Sequence, residues 1–94
     1  MNKYMVVATF KPDTDMNEVM AVVTEERAQV VVLRGAGQLG SLHISLARGT
    51  IFLEIFASDE SQAIGIVNTL PIARWWSLDV YPTPEPTLPN QTAV

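Results

Sequence analysis

Two rhythms of apolar and polar residues run along this chain, and the places where one gives way to the other mark its elements. Residues 3–10, Lys3-Tyr4-Met5-Val6-Val7-Ala8-Thr9-Phe10, are rich in β-formers and nearly continuous in apolar character. That pattern predicts a central strand covered on both faces, closed by Lys11-Pro12-Asp13. From Asp15 to Arg34 the period lengthens to that of a helix. At about 100° per residue, Met16, Val19, Val22, Val23, Val30 and Leu33 share one face. Glu26 falls in the middle of that face, flanked by Glu25 and Arg27 at roughly 100° to either side. A carboxylate there lies under the helix, where leaving it unpaired costs on the order of several kcal/mol. Asp15 supplies the N-cap, with Glu18 at the capping-box position, and Gly35-Ala36-Gly37 stops the helix.

Strict alternation follows. Leu42, Ile44 and Leu46 point one way, and Ser41, His43 and Ser45 the other. Ala47-Arg48-Gly49 makes a turn, and Thr50 to Ala57 returns with Ile51, Leu53 and Ile55 opposite Phe52, Glu54 and Phe56. Ser58 or Asp59 caps a second helix whose buried stripe is Ala63, Ile66, Val67 and Leu70, ended by Pro71. After a connector, Trp76 to Tyr81 form a last strand, closed by Pro82. The order β-α-β-β-α-β predicts an α+β, ferredoxin-like domain over residues 1–82: a four-stranded antiparallel sheet with both helices on one face. The other face is not polar enough to stay bare in a monomer. Residues 83–94, with Pro84, Pro86 and Pro89, read as a proline-rich C-terminal arm that cannot join a sheet interior.

Composition sharpens this picture. The 94 residues suffice for one modest core. Only 17% are charged, against about 25% for typical soluble domains. So few charges leave apolar surface, which points to a second copy of the chain as cover. The net charge of −4 and the lack of a basic cluster argue against nucleic acid as a partner. With no cysteine and one histidine, the chain offers neither disulfides nor a multi-histidine metal site. No apolar run approaches the ~18 residues needed to cross a membrane, and the N-terminus shows no signal-peptide pattern. The expectation is a cytoplasmic protein without membrane, metal or cofactor.

Three polar residues sit on apolar elements: Glu26, His43 and Glu54. The favoured arrangement turns the Ser41/His43/Ser45 and Phe52/Glu54/Phe56 faces toward the helices, because that supplies Glu26 with a partner. Leu42, Ile44, Leu46, Ile51, Leu53 and Ile55 would then meet a second subunit. In the opposite arrangement Glu26 lies alone under the helix, and His43 and Glu54 lie in the subunit interface. A carboxylate and an imidazole in an apolar pocket suit proton transfer, since desolvation raises a carboxylate's pKa toward neutrality. Plainer readings stand beside this one. Glu26 would make a helix-to-strand salt bridge or snorkel at an edge, His43 would be a hydrogen-bonded core or interface contact, and Glu54 would form an inter-strand or intersubunit ion pair, with Arg48 or Arg74 as candidate partners. Trp75 and Trp76 would be packing residues. Asp79 and Tyr81 line the same cleft or form a solvated face.

Thr14-Asp15-Met16 before the first helix, Glu26 within it, Gly37-Gln38-Leu39, Leu70-Pro71 with the aromatic pair that follows, and Leu78-Asp79-Val80 together resemble the muconolactone isomerase family over residues 4–82. The resemblance implies dimers in which two sheets form an α+β barrel. It also implies a cofactor-free shift of a lactone double bond by proton abstraction and return. Glu26 matches an acidic family position. His43 stands where the isomerase has an aromatic residue, and Ile44 where it has an arginine, which bears against the isomerase's carboxylated substrate. The leading expectation is an isomerase-like enzyme for a small carbonyl compound or lactone. Glu26 would be the proton shuttle, His43 and Glu54 would support it, and Phe52, Phe56, Trp75, Trp76 and Tyr81 would contact substrate. The alternatives are a non-catalytic ligand-binding or assembly module, and a cofactor-free oxygenase or cyclase of the same superfamily.

Overall fold

The computed structural model describes residues 1–84, so the remainder of the expected C-terminal arm lies outside the described residues. Strand β1 (Asn2–Phe10) leads to two consecutive helices, α1 (Met16–Ala21) and α2 (Val23–Gly35). Strands β2 (Leu39–Ser45) and β3 (Thr50–Ala57) follow, then α3 (Glu60–Val67) and β4 (Trp76–Pro82). One four-stranded sheet of order β2-β3-β1-β4 results, with every pairing antiparallel, an arrangement consistent with the ferredoxin-like fold.

The long helix expected from Asp15 to Arg34 is broken at Val22, whose backbone (φ −112°, ψ 12°) leaves the helical region. Val22, Val23 and Thr24 are consecutive β-branched residues, which weaken a helix through lost side-chain freedom, so the break is cheap here. The ends follow local chemistry. The Asp15 carboxylate caps α1 by accepting from Asn17 N–H at 2.9 Å. At the other end Gly37, at φ 73°, lets its own N–H reach the Arg34 carbonyl and Gln38 N–H reach Leu33 (3.0 and 2.9 Å). That is the Schellman pattern that favours glycine. Asp59 caps α3 through Gln62 N–H at 2.7 Å.

Strand register decides which residues face the helices. Leu42 pairs with Leu53, Leu53 with Val6, and Val6 with Val80, so these four form a row across the sheet. Ile44, Ile51, Ala8 and Leu78 form the next row. This face joins Val19 and Leu33 of the first helical layer and Ala63, Ile66 and Val67 of α3 in one core. The favoured sequence reading, with Ser41/His43/Ser45 and Phe52/Glu54/Phe56 inward, is therefore reversed. The aliphatic set of β2 and β3 faces the helices because it continues the buried Tyr4/Val6/Ala8 set of β1 and, through it, buried Trp76 with half-buried Leu78 and Val80 of β4.

Leu53 is fully buried at the centre of this core. Leu53→Ala is expected to cost about 2–5 kcal/mol from lost burial and the cavity left behind. Urea unfolding should show the midpoint falling sharply with the slope unchanged.

Candidate functional site

The helix–sheet layer is not filled at its β2 end. A cavity of about 540 Å³ lies there, walled by Phe10, Val19, Val23, Val30, Leu42 and Ile51, with Glu26, Ile72 and Trp76 also contributing. Each wall position follows from the register above: Leu42, Ile44 and Ile51 come from the inward face of the sheet, and Val19, Val23, Glu26 and Val30 from the inward stripe of α1 and α2. Exposed Met16, Met20, Ile44 and Leu46 surround the mouth.

Glu26 reaches this space because α2 projects it between Val23 and Val30, as the helical spacing predicts. The partner it finds is neither His43 nor Glu54. One carboxyl oxygen, Oε1, accepts from the Ile72 backbone N–H at 3.0 Å. Ile72 stands in the first part of the short 3₁₀ turn Pro71–Trp75, where the leading N–H groups have no partner within the turn. Burial pushes the Glu26 carboxyl above its ordinary value of 4.5, and the Ile72 N–H partly opposes this by favouring the carboxylate.

Trp76 opens β4 and is buried, its ring edge-on to Phe10 at 6.2 Å and 72°. Its indole Nε1–H is buried with no hydrogen-bond partner among the described residues. A buried donor left unpaired costs roughly 1–3 kcal/mol, so a Trp rather than a Phe on an apolar cavity wall calls for a reason.

The remaining sequence candidates stand elsewhere. His43, Phe52, Glu54, Phe56 and Tyr81 lie on the opposite, helix-free face of the sheet, so they do not share the cavity with Glu26. On that face His43 pairs with Phe52, while Met5 pairs with both Glu54 and Tyr81. Within the chain Glu54 finds a backbone partner: its Oε1 accepts from Ser41 N–H at 3.1 Å. That bond follows from a β-bulge, where Gly40 and Ser41 together oppose Glu54. A Cβ at Gly40 would collide with the Glu54 carboxylate, so glycine suits this position. Trp75 is half-buried beside the Arg74 guanidinium, 5.1 Å from its ring centroid, and is absent from the cavity wall. A second hollow, about 620 Å³, runs past Lys3, Glu54, Phe56 and Pro82 at one end of the open face. It contains no counterpart to the desolvated Glu26.

Of the aromatic residues expected to contact substrate, Trp76 does line the cavity, whereas sequence reasoning missed Ile72 N–H and the cavity-lining Phe10. The Leu70-Pro71 pair was the available signal for the first, because a proline-led turn leaves its next N–H groups seeking an acceptor. Among the described residues, no group of three or more His, Asp or Glu side chains is placed to hold a metal ion, and no helix is long and apolar enough to cross a membrane. No protein-family model matches the chain, and no curated protein matches it significantly.

The raised pKa makes a signed statement about stability. Between the unfolded value near 4.5 and the higher folded value, the native state holds more protons than the unfolded chain. Stability contributed by protonated Glu26 is present below that window and declines as pH rises through it. Glu26→Gln keeps an acceptor for Ile72 N–H but cannot ionise. Urea unfolding across a pH series should show the wild type losing stability relative to this variant as pH rises above about 4.5.

Proposed function

We propose that this protein is a cofactor-free, isomerase-like enzyme that binds a small, largely apolar carbonyl compound or lactone between α2 and the sheet and moves a proton on it. The observation that carries this reading is a carboxyl perturbed by burial, Glu26, set into an apolar cavity between α2 and the sheet. The substrate sets its carbonyl group beside the Glu26 carboxyl in that cavity. The Glu26 carboxylate takes a proton from the carbon next to that carbonyl, breaking a C–H bond and leaving an enolate. Protonated Glu26 then returns the proton to the far carbon of the shifted double bond, which restores the carboxylate. Oε1 stays on Ile72 N–H throughout, which orients the group and leaves Oε2 for the substrate. A carboxyl whose pKa is raised by burial serves as base and then acid.

Proton NMR in D₂O of a panel of β,γ-unsaturated lactones and ketones tests this. The wild type should introduce deuterium next to the carbonyl and shift the double bond. Glu26→Gln should fall at least ~100-fold, the scale of a lost general base, with its circular dichroism unchanged. Exchange retained in the variant removes Glu26 from the mechanism. Exchange absent from the wild type, with ligand still bound, favours a non-catalytic binding module. Oxygen uptake with electron-rich phenols would instead favour the oxygenase reading.

Self-association belongs to the same proposal. The helix-free face presents Phe52 (38% exposed) and Tyr81 (53%) beside half-buried Met5, Val7 and Phe56. Two such faces packed together would give the α+β barrel that the family resemblance implies, with His43 and Glu54 in the seam. Sedimentation velocity should report a dimer, and Phe52→Glu should yield a folded monomer. A monomeric wild type would dispose of the barrel.

A further inference from the structure

The cavity mouth carries chemistry that proton transfer does not use. Arg27 and Arg34 both line it, and they hold two of the chain's six basic residues on a protein of net charge −4. Seven positions apart on α2, they lie on nearly the same side of the helix, about 100° and 80° round from Glu26 and two turns apart. Neither forms an ion pair with a described residue, and their one hydrogen bond among the described residues is a long one, Arg34 Nε–H to the Gly40 carbonyl at 3.4 Å. Apart from Glu26 no acid lines the cavity, and the Glu26 carboxyl is perturbed by burial and Ile72 rather than by either guanidinium. One apolar space thus carries two guanidinium groups and one half-buried carboxyl, all from α2. Around the mouth Met20, Val31, Ile44 and Leu46 are 60–90% exposed, an apolar rim wider than the cavity itself needs.

We propose that the ligand is an amphipathic carboxylate, its apolar body between α2 and the sheet and its head on Arg27 and Arg34. This rests on the cavity reading above and names its ligand class. Guanidinium forks match a carboxylate with two parallel hydrogen bonds, and the exposed apolar rim covers the part of the chain that protrudes. Anion recognition here comes from the helix, on the side of the cavity opposite Ile44.

The test is titration of the intact protein with octanoate, 1-octanol and octyl phosphate, read by calorimetry and by tryptophan fluorescence in a Trp75→Phe background that leaves Trp76 to report the cavity. Octanoate should bind about tenfold or more tightly than octanol, the scale of one charge-assisted hydrogen bond. Arg27→Ala/Arg34→Ala, both at exposed positions, should abolish that preference while leaving octanol affinity unchanged. Equal affinities in the wild type, or an equal loss of both ligands in the double variant, overturns the carboxylate assignment and spares the cavity reading. Tighter binding of octyl phosphate than octanoate overturns it in favour of a phosphate head. Failure of all three to bind overturns the assignment and the cavity reading together.

Discussion

One hydrogen bond ties the cavity to the architecture of this domain: Ile72 N–H to Glu26 Oε1. It spans 46 residues, from the first helical layer to the turn that launches β4. For the turn, it satisfies an N–H that a proline-led start leaves without a partner. For the helix, it makes tolerable a carboxylate that its position forces inward. The bond is also asymmetric in a useful way. It fixes one oxygen and only partly offsets the effect of burial, so the acid is both held in place and easier to protonate than an exposed glutamate.

The two faces of the sheet have divided their duties through one local irregularity and one register. On the inner face, aliphatic rows run unbroken across all four strands and carry the core. On the outer face, the Gly40–Ser41 bulge turns a backbone N–H toward Glu54, so a carboxylate that appeared to need a cation is answered by main chain. Both conspicuous acids of the sequence thus find backbone partners. That leaves the arginines of α2 unclaimed and the cavity mouth positive, an arrangement that the acidic composition of the chain conceals.

The cavity itself comes from packing that stops short. The helix breaks at Val22, and the β2 edge ends in the exposed Leu46–Arg48 turn, so apolar walls flank an open space that no side chain of the layer fills.

The four strands, the caps at Asp15 and Asp59, the glycine stop at Gly37 and the inward position of Glu26 were legible from local rules, because each depends on residues within a turn or two of one another; the break at Val22 that divides the first helix was not. The core stripe of α3 was legible too. The face of the sheet that meets the helices was not, because alternation along β2 and β3 is satisfied by either face, and the choice falls to pairing with β1 and β4. The partner of Glu26 was hidden for the same reason: a backbone N–H has no signature in side-chain pattern, and Ile72 comes near only when the chain has closed its second β-α-β half. Local sequence thus determined which elements form and that one acid must turn inward. Tertiary structure alone decided what that acid meets, since hydrogen bonding to main chain across 46 residues depends on where strands and turns come to rest in space.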